Sequence, residues 1–155
     1  MQFEHVVVIN DPNEALAVPL TREQVWAGLM WRVEDPCAFQ PGLVGCEILS
    51  RSETQIERAL DFGSFRTRDT VRIEPGRAVS FDTAAEGDRP GGHLAVTIEA
   101  PVEGLLVLRF AYRTTLSEQS GEDAAFAGYV KAAYHAADID TVRLIREFAA
   151  RGSRH

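Results

Sequence analysis

The chain has 155 residues, of which 45% are hydrophobic and 25% charged, and its formal net charge is −7. This length and balance predict one globular domain over residues 1–155 with its own core, and they exclude a disordered chain. The negative charge argues against nucleic acid and anionic membrane surfaces as partners, because binding either requires basic residues that neutralise phosphates.

The sequence lacks the patterns that mark common catalytic and cofactor sites. Its four histidines form no metal-binding pair, and no nucleophile elbow, dinucleotide fingerprint or phosphate loop occurs. Cys37 and Cys46 belong to no redox or zinc motif, which is typical of reduced structural cysteines. The opening residues do not resemble a signal peptide, and no apolar run is long enough to span a bilayer. We therefore expect a cytoplasmic protein with no metal, cofactor or membrane insertion.

The first third of the chain predicts a strand followed by a helix. Phe3–Asn10 is rich in β-branched residues, as strands are. Thr21 and Gln24 have the spacing of a capping box, which marks a helix start, and Asp35 before a proline marks its end. A second short helix or turn is expected through Phe39. The predicted buried stripe of the first helix is Trp26, Leu29, Met30 and Val33.

From Gly45 onward the apolar pattern alternates with a period of two, which predicts strands. The connections between these runs are short, so neighbouring strands should pair antiparallel. The six predicted strands are Cys46–Arg51, Gln55–Phe62, Phe65–Glu74, Ala78–Thr83, His93–Ala100 and Leu105–Leu116.

One long helical pattern closes the chain, from about Gly121 to Arg151. At ~1.5 Å per residue it spans ~45 Å, longer than packing in a compact domain requires. Laid across a curved sheet, it would cover a cavity. The predicted fold is therefore α+β: about seven antiparallel strands wrapped around a long C-terminal helix, with two short helices after the first strand. The predicted inward stripe of the long helix is Ala127, Val130, Tyr134, Ala137, Thr141, Ile145 and Phe148.

Two charged residues fall on the apolar face of adjacent predicted strands. If Gly63-Ser64 forms a two-residue turn, the register places Arg58 directly opposite Asp69. A buried charge requires a partner, so a structural ion pair is one interpretation. The other is that this pair orients a ligand.

The remaining candidate residues share the inner face of the sheet or face it from the long helix. Phe81, Phe110 and Tyr112 lie on the apolar parity of their strands, and a mainly apolar face with a few polar groups is typical of a small-molecule pocket. Tyr134 and Asp138 are one helical turn apart and could form a donor–carboxylate pair that points at the sheet. The sequence favours the alternative that Asp138 and Asp140 are solvated or bend the helix locally through side-chain-to-backbone bonds.

Three stretches of sequence resemble a known family. They are LTREQVWAGLMWRVEDPCAFQPGLVGCEIL (Leu20–Leu49), RDTVRIEP (Arg68–Pro75) and AYHAADIDTVRLIREFAA (Ala133–Ala150). They look similar to the DUF1857 or AtaL-like subfamily of the START-like superfamily, also called Bet v 1-like, SRPBCC or polyketide-cyclase-like. The resemblance implies a helix-grip fold with a hydrophobic cavity. Superfamily members bind lipids, sterols, hormones or polyketides, and some cyclise or dehydrate polyketide chains. No catalytic residue can be carried over.

These expectations support two functions. The first is the binding of a small hydrophobic molecule in the cavity. The alternative is a polyketide cyclase- or dehydratase-like enzyme acting on a small aromatic or polyketide substrate, in which Arg58 holds an oxygen and Tyr134 or Asp69 exchanges a proton. A homo-oligomer or partner-binding scaffold is a third possibility, and it requires an exposed apolar patch.

Overall fold

The described residues form a seven-stranded antiparallel sheet with two α-helices. The computed structural model describes residues 1–14, 17–87, 91–115 and 122–152. The predicted α+β helix-grip class is confirmed: a curved sheet carries a long C-terminal helix. Along the chain the elements are β1 (Gln2–Asn10), α1 (Arg22–Glu34), one 3₁₀ turn (Pro36–Ala38), β2 (Gly45–Arg51), β3 (Gln55–Asp61), β4 (Arg66–Glu74), β5 (Ala78–Thr83), β6 (Gly92–Glu99), β7 (Leu106–Thr114) and α2 (Glu122–Gly152).

The strands follow one another as a meander, except for the first. Their order across the sheet is β1-β7-β6-β5-β4-β3-β2, and β1 pairs antiparallel with β7. All six strands predicted after Gly45 are present, with ends shifted by a residue or two; Leu116, the predicted end of the last, lies outside the described residues. The tight turn between β3 and β4 is made by Gly63, at φ +87°, and Ser64. This turn fixes the β3–β4 register.

Helix α1 begins at the predicted capping box. The Gln24 amide donates to Thr21 Oγ1 at 3.1 Å, and the Thr21 amide donates to Gln24 Oε1 at 2.8 Å. The buried face is rotated from the predicted stripe: Trp26 and Met30 are only partly buried. The second predicted helix is a single 3₁₀ turn. The fully buried apolar positions of α1 are Val25, Leu29 and Val33, and the buried arginine Arg32 lies among them.

Helix α2 crosses the sheet and packs against α1. Gly28 of α1 lies so close to Ile145 that a Cβ on the glycine would be 2.7 Å from two carbon atoms of the isoleucine. Tyr134, predicted to face inward, keeps 39% of its surface exposed. In the described part of the chain, neither helix has the length and apolar character needed to cross a membrane. The buried residues of α2 are Ala127, Asp138, Thr141, Val142, Ile145 and Ala149.

Candidate functional site

A cavity of about 550 Å³ lies between the sheet and α2. Strands β3 to β7 provide the largest share of its lining, α2 contributes the stretch around Tyr134 to Thr141, and the segment Pro36–Pro41 lies at one side. The surface that the lining presents to the cavity is mostly apolar and includes several aromatic rings, together with four charged side chains and six hydroxyl groups. Such a composition lets a cavity exclude water while it keeps a few polar contacts available.

Six of the seven predicted site residues line this cavity. They are Arg58, Asp69, Phe81, Tyr112, Tyr134 and Asp138. The seventh, Phe110, is fully buried and belongs to the hydrophobic core outside the lining.

Arg58 and Asp69 form a buried ion pair in the predicted register. Arg58 Nε donates to Asp69 Oδ1 at 2.9 Å, and Arg58 Nη2 donates to Oδ2 at 2.5 Å. The remaining terminal nitrogen of Arg58 donates to the carbonyl of Val33 at 2.9 Å. Arg58 is 1% exposed and Asp69 is 4% exposed. A bidentate pair of this kind holds both side chains in one geometry, so the arginine is already committed to protein partners.

Arg32 is a second arginine at the cavity, which the sequence reasoning missed. It comes from α1, is 9% exposed and lines the cavity beside Phe81. The Arg32 guanidinium carbon lies 5.4 Å from the centre of the Phe81 ring, and the Arg58 guanidinium carbon lies 5.2 Å from it. Both distances are within the range of cation–π attraction. Burial lowers the pKa of Arg32 from its usual value.

Asp138 is the centre of a polar cluster on the α2 side of the cavity. It is 1% exposed, so the interpretation that it is solvated is wrong. The Tyr112 hydroxyl donates to Asp138 Oδ2 at 2.6 Å, and His5 Nε2 lies 2.7 Å from the same oxygen. The polar partners of Asp138 are therefore Tyr112 and His5, and not Tyr134, the partner that the sequence suggested.

Burial controls the acidity of this cluster. It raises the pKa of Asp138, although the Tyr112 hydrogen bond and the positive charge of Arg32 act in the opposite direction. Burial, followed by the charge of Asp138, raises the pKa of Tyr112. Burial also raises the pKa of Tyr134. The two tyrosines therefore stay protonated donors, and Asp138 is a carboxyl group that holds a proton more readily than an exposed aspartate does.

Stacked aromatic rings form the wall next to this cluster. The Tyr112 ring lies 4.8 Å from the Phe3 ring and 4.6 Å from the Tyr134 ring, measured between centroids, and both pairs are stacked. Of these three rings, Tyr112 and Tyr134 line the cavity, and Tyr134 remains partly exposed. Aromatic rings in a cavity lining offer favourable contact to a planar ligand.

Simple signals in the sequence could have identified His5 and Arg32. Residues of β1 alternate between exposed and partly buried, and His5 shares the inner parity with Phe3 and Val7. Arg32 lies one helical turn after Leu29 and next to Val33, on the buried face of α1.

Solved structures with the same fold are enzymes and other proteins of low sequence identity. The Zhui aromatase/cyclase from Streptomyces sp. R1128 is 16% identical, with 97% of this chain and 94% of that chain covered and a TM-score of 0.63. The di-domain ARO/CYC StfQ of the steffimycin biosynthetic pathway is 16% identical and has a TM-score of 0.68; the match covers 99% of this chain and 52% of that one. Norcoclaurine synthase from Thalictrum flavum, in complex with dopamine and hydroxybenzaldehyde, is 11% identical over 97% of this chain and 87% of that chain, with a TM-score of 0.62. At these identities the likeness shows a shared fold.

Sequence comparison is more specific about the family. No curated protein matches the chain. The sequence profile described as AtaL, acetylaranotin biosynthesis cluster protein L, matches residues 4–152, which is nearly the whole chain. The predicted resemblance is therefore confirmed: the chain has the START-like, Bet v 1-like fold, and it belongs to the AtaL family.

Proposed function

We propose that this protein binds a small hydrophobic molecule in the cavity between the sheet and α2. The observation that carries the proposal is the cavity itself: about 550 Å³, mostly apolar and lined by aromatic rings. Ligand pockets for small molecules typically measure ~300–1,000 Å³ and combine apolar walls with a few polar groups. The aromatase/cyclases and the dopamine-bound norcoclaurine synthase of the same fold support a ligand of aromatic character.

A neutral fluorescent dye tests this proposal. N-phenyl-1-naphthylamine fluoresces strongly when it enters an apolar site, so its titration gives an affinity for the wild-type cavity. Ala137 lines the cavity from α2, and Ala137→Phe would place a ring inside it. The adjacent Ala136 is exposed, so Ala136→Phe adds the same ring on the solvent side of the same helix. Affinity should fall at least ~10-fold in Ala137→Phe, because the ring occupies the ligand's space, and should stay near wild type in Ala136→Phe.

Two results would refute cavity binding. One is the absence of any saturable dye signal with the wild-type protein. The other is equal affinity for the two phenylalanine variants, which would place the dye elsewhere on the surface.

A cyclase- or dehydratase-type enzyme is the second candidate, and Asp138 is the observation that favours it. Asp69, one of the proton-exchange groups expected from the sequence, is held by Arg58, whereas Asp138 is a buried carboxyl at the cavity whose pKa is raised. Such a group can take a proton from carbon next to a carbonyl and return it to a leaving hydroxyl. We place Asp138 in that role, with Tyr112 and His5 positioning the carboxyl.

Turnover of a linear poly-β-ketone thioester, followed by mass spectrometry, tests the enzymatic candidate. Cyclised or dehydrated product should form faster with wild-type protein than in buffer. Asp138→Asn should lower that rate by ~10²- to 10⁴-fold, the usual contribution of a general acid–base group, and leave dye affinity nearly unchanged. A rate equal to that in buffer would leave only the binding function.

The remaining partner and location predictions are proposals as well. The net charge of −7 supports the exclusion of nucleic acid as a partner. A cytoplasmic location and a homo-oligomeric state remain predictions.

A further inference from the structure

The charge of Arg32 has no ion-pair partner within the described chain, although the charge of Asp138 acts on it without an ion pair. The residue is 9% exposed. Within the described chain its side chain makes one hydrogen bond, from Nη1 to Thr141 Oγ1 at 3.4 Å, and no ion pair. The bond is long, and its acceptor is neutral and itself donates to the Ala137 carbonyl at 3.1 Å. An arginine has five N–H donors and stays protonated in proteins, so most of its binding capacity is unused here.

The two acidic residues at the cavity are already engaged with other groups. Asp69 holds Arg58 in the bidentate pair, which cancels both charges. Asp138 directs Oδ2 to Tyr112 and His5 and makes no ion pair with Arg32 among the described residues. Burial also favours the neutral form of Asp138, since it raises the pKa of that carboxyl. A largely buried cation without an ion pair is costly, and a ligand with a negative charge would reduce that cost.

The surroundings of Arg32 fit a flat anion. Its guanidinium lies over the Phe81 ring, and the cavity beside it is walled by Leu94 and Tyr112. The planar fork of a guanidinium matches a carboxylate in a way that a lysine ammonium does not. An apolar ring system attached to such a group would lie in the aromatic part of the cavity.

We infer that the ligand of this cavity is an apolar, preferably aromatic, acid whose carboxylate or phenolate oxygen binds Arg32. The inference rests on the proposed ligand-binding function, and it adds the ligand's charge and the residue that recognises it.

A pair of probes that differ only in charge tests the inference. 2-Naphthoate is an anion at pH 7, and 2-naphthamide is a neutral compound of nearly the same shape. Isothermal titration calorimetry with the wild-type protein should give an affinity for the acid at least ~10-fold higher than for the amide, as expected for a charged hydrogen-bonded pair. Arg32→Met should reduce the affinity for the acid to the level of the affinity for the amide. The affinity for the amide itself should stay within about twofold of its wild-type value.

Arg22→Met is the matched control. Arg22 lies on the same helix, is exposed and donates to the Gly76 carbonyl on the surface. The control should leave the preference for the acid unchanged. Arg32→Lys keeps the positive charge without the planar fork and should show an intermediate preference. Circular dichroism of each variant checks folding. Because the wild-type comparison needs no substitution, it decides the charge of the ligand even if Arg32→Met does not fold, and Arg32→Lys then tests the role of the residue.

The outcomes separate the two proposals. Equal affinities of the wild-type protein for acid and amide, with the neutral dye still bound, would overturn the charge inference and leave cavity binding in place. A preference for the acid that survives in Arg32→Met would overturn the assignment to Arg32. Failure of both naphthalene probes and of the neutral dye to bind would overturn both proposals.

Discussion

Replacement of Asp69 by asparagine should destabilise this fold severely. The substitution keeps the size of the side chain and removes its charge, which leaves the guanidinium of Arg58 buried at 1% exposure without a counter-ion. The Val33 carbonyl would remain as a neutral partner. Removal of one member of a buried pair typically costs ~3–5 kcal/mol, because the surviving charge stays desolvated.

That cost is a large part of the stability of a domain of this size. Folded domains are typically stable by ~5–15 kcal/mol, so Asp69→Asn should bring this protein close to the unfolding threshold. For chains of 150–250 residues, 1 kcal/mol corresponds to ~2–4 °C in Tm, which gives an expected decrease of ~6–20 °C. Urea and thermal unfolding followed by circular dichroism at pH 7 measure both quantities.

Two further variants control the interpretation. Glu34→Gln removes one member of the exposed Arg51–Glu34 pair and should change Tm far less, since exposed pairs contribute little. The double variant Arg58→Met/Asp69→Leu replaces the buried pair by apolar side chains and should recover most of the lost stability. The reasoning is wrong if Asp69→Asn costs under ~1 kcal/mol, or if the double variant is as unstable as the single one.

Two more predictions concern the helices. Gly28→Ala should destabilise the protein by ~1–3 kcal/mol, because the new Cβ would lie 2.7 Å from Ile145. Gly128→Ala, on an open face of α2, should instead stabilise the protein by up to ~1 kcal/mol. Urea unfolding of both variants measures these changes, and equal effects would contradict the close helix contact. The pKa of Asp138 is raised in the folded state, so ionisation of this carboxyl opposes folding. The unfolding free energy of Asp138→Asn minus that of the wild-type protein should therefore increase from about pH 4 upward and level off above the pKa of the folded state. Asp140→Asn is an exposed change on the same helix that retains Asp138, so this variant should keep the wild-type pH dependence. A difference in unfolding free energy between Asp138→Asn and the wild-type protein that does not change with pH would count against burial of an ionisable carboxyl.

The parts of the site that lie on neighbouring strands could be predicted from the sequence. The two-residue turn at Gly63 and Ser64 and the two-residue period of the strands together fix which residues of β3 and β4 face each other. Only one register satisfies both constraints, and it pairs Arg58 with Asp69, as observed. Local rules are sufficient here because a hairpin is a local structure.

The parts that depend on helix rotation could not be predicted in this way. The sequence placed Trp26 and Met30 on the buried stripe of α1, but the helix is rotated so that Arg32 enters the core and those two residues lie at its edge. The same kind of rotation in α2 buries Asp138 and leaves Tyr134 partly exposed. Which face of a helix is buried depends on the partner against which it packs, and a period of 3.6 residues allows neighbouring choices.

The contact between Gly28 and Ile145 has a consequence for the range of molecules that the protein can accept. Helix α2 lines the cavity with its stretch from Tyr134 to Thr141, and Ile145 lies one turn beyond that stretch. The size of the residue at position 28 therefore bears on the position of α2, although this residue does not belong to the lining. We expect a larger residue there to displace α2 and so to change the shape of the cavity, while every recognition group inside would keep its identity.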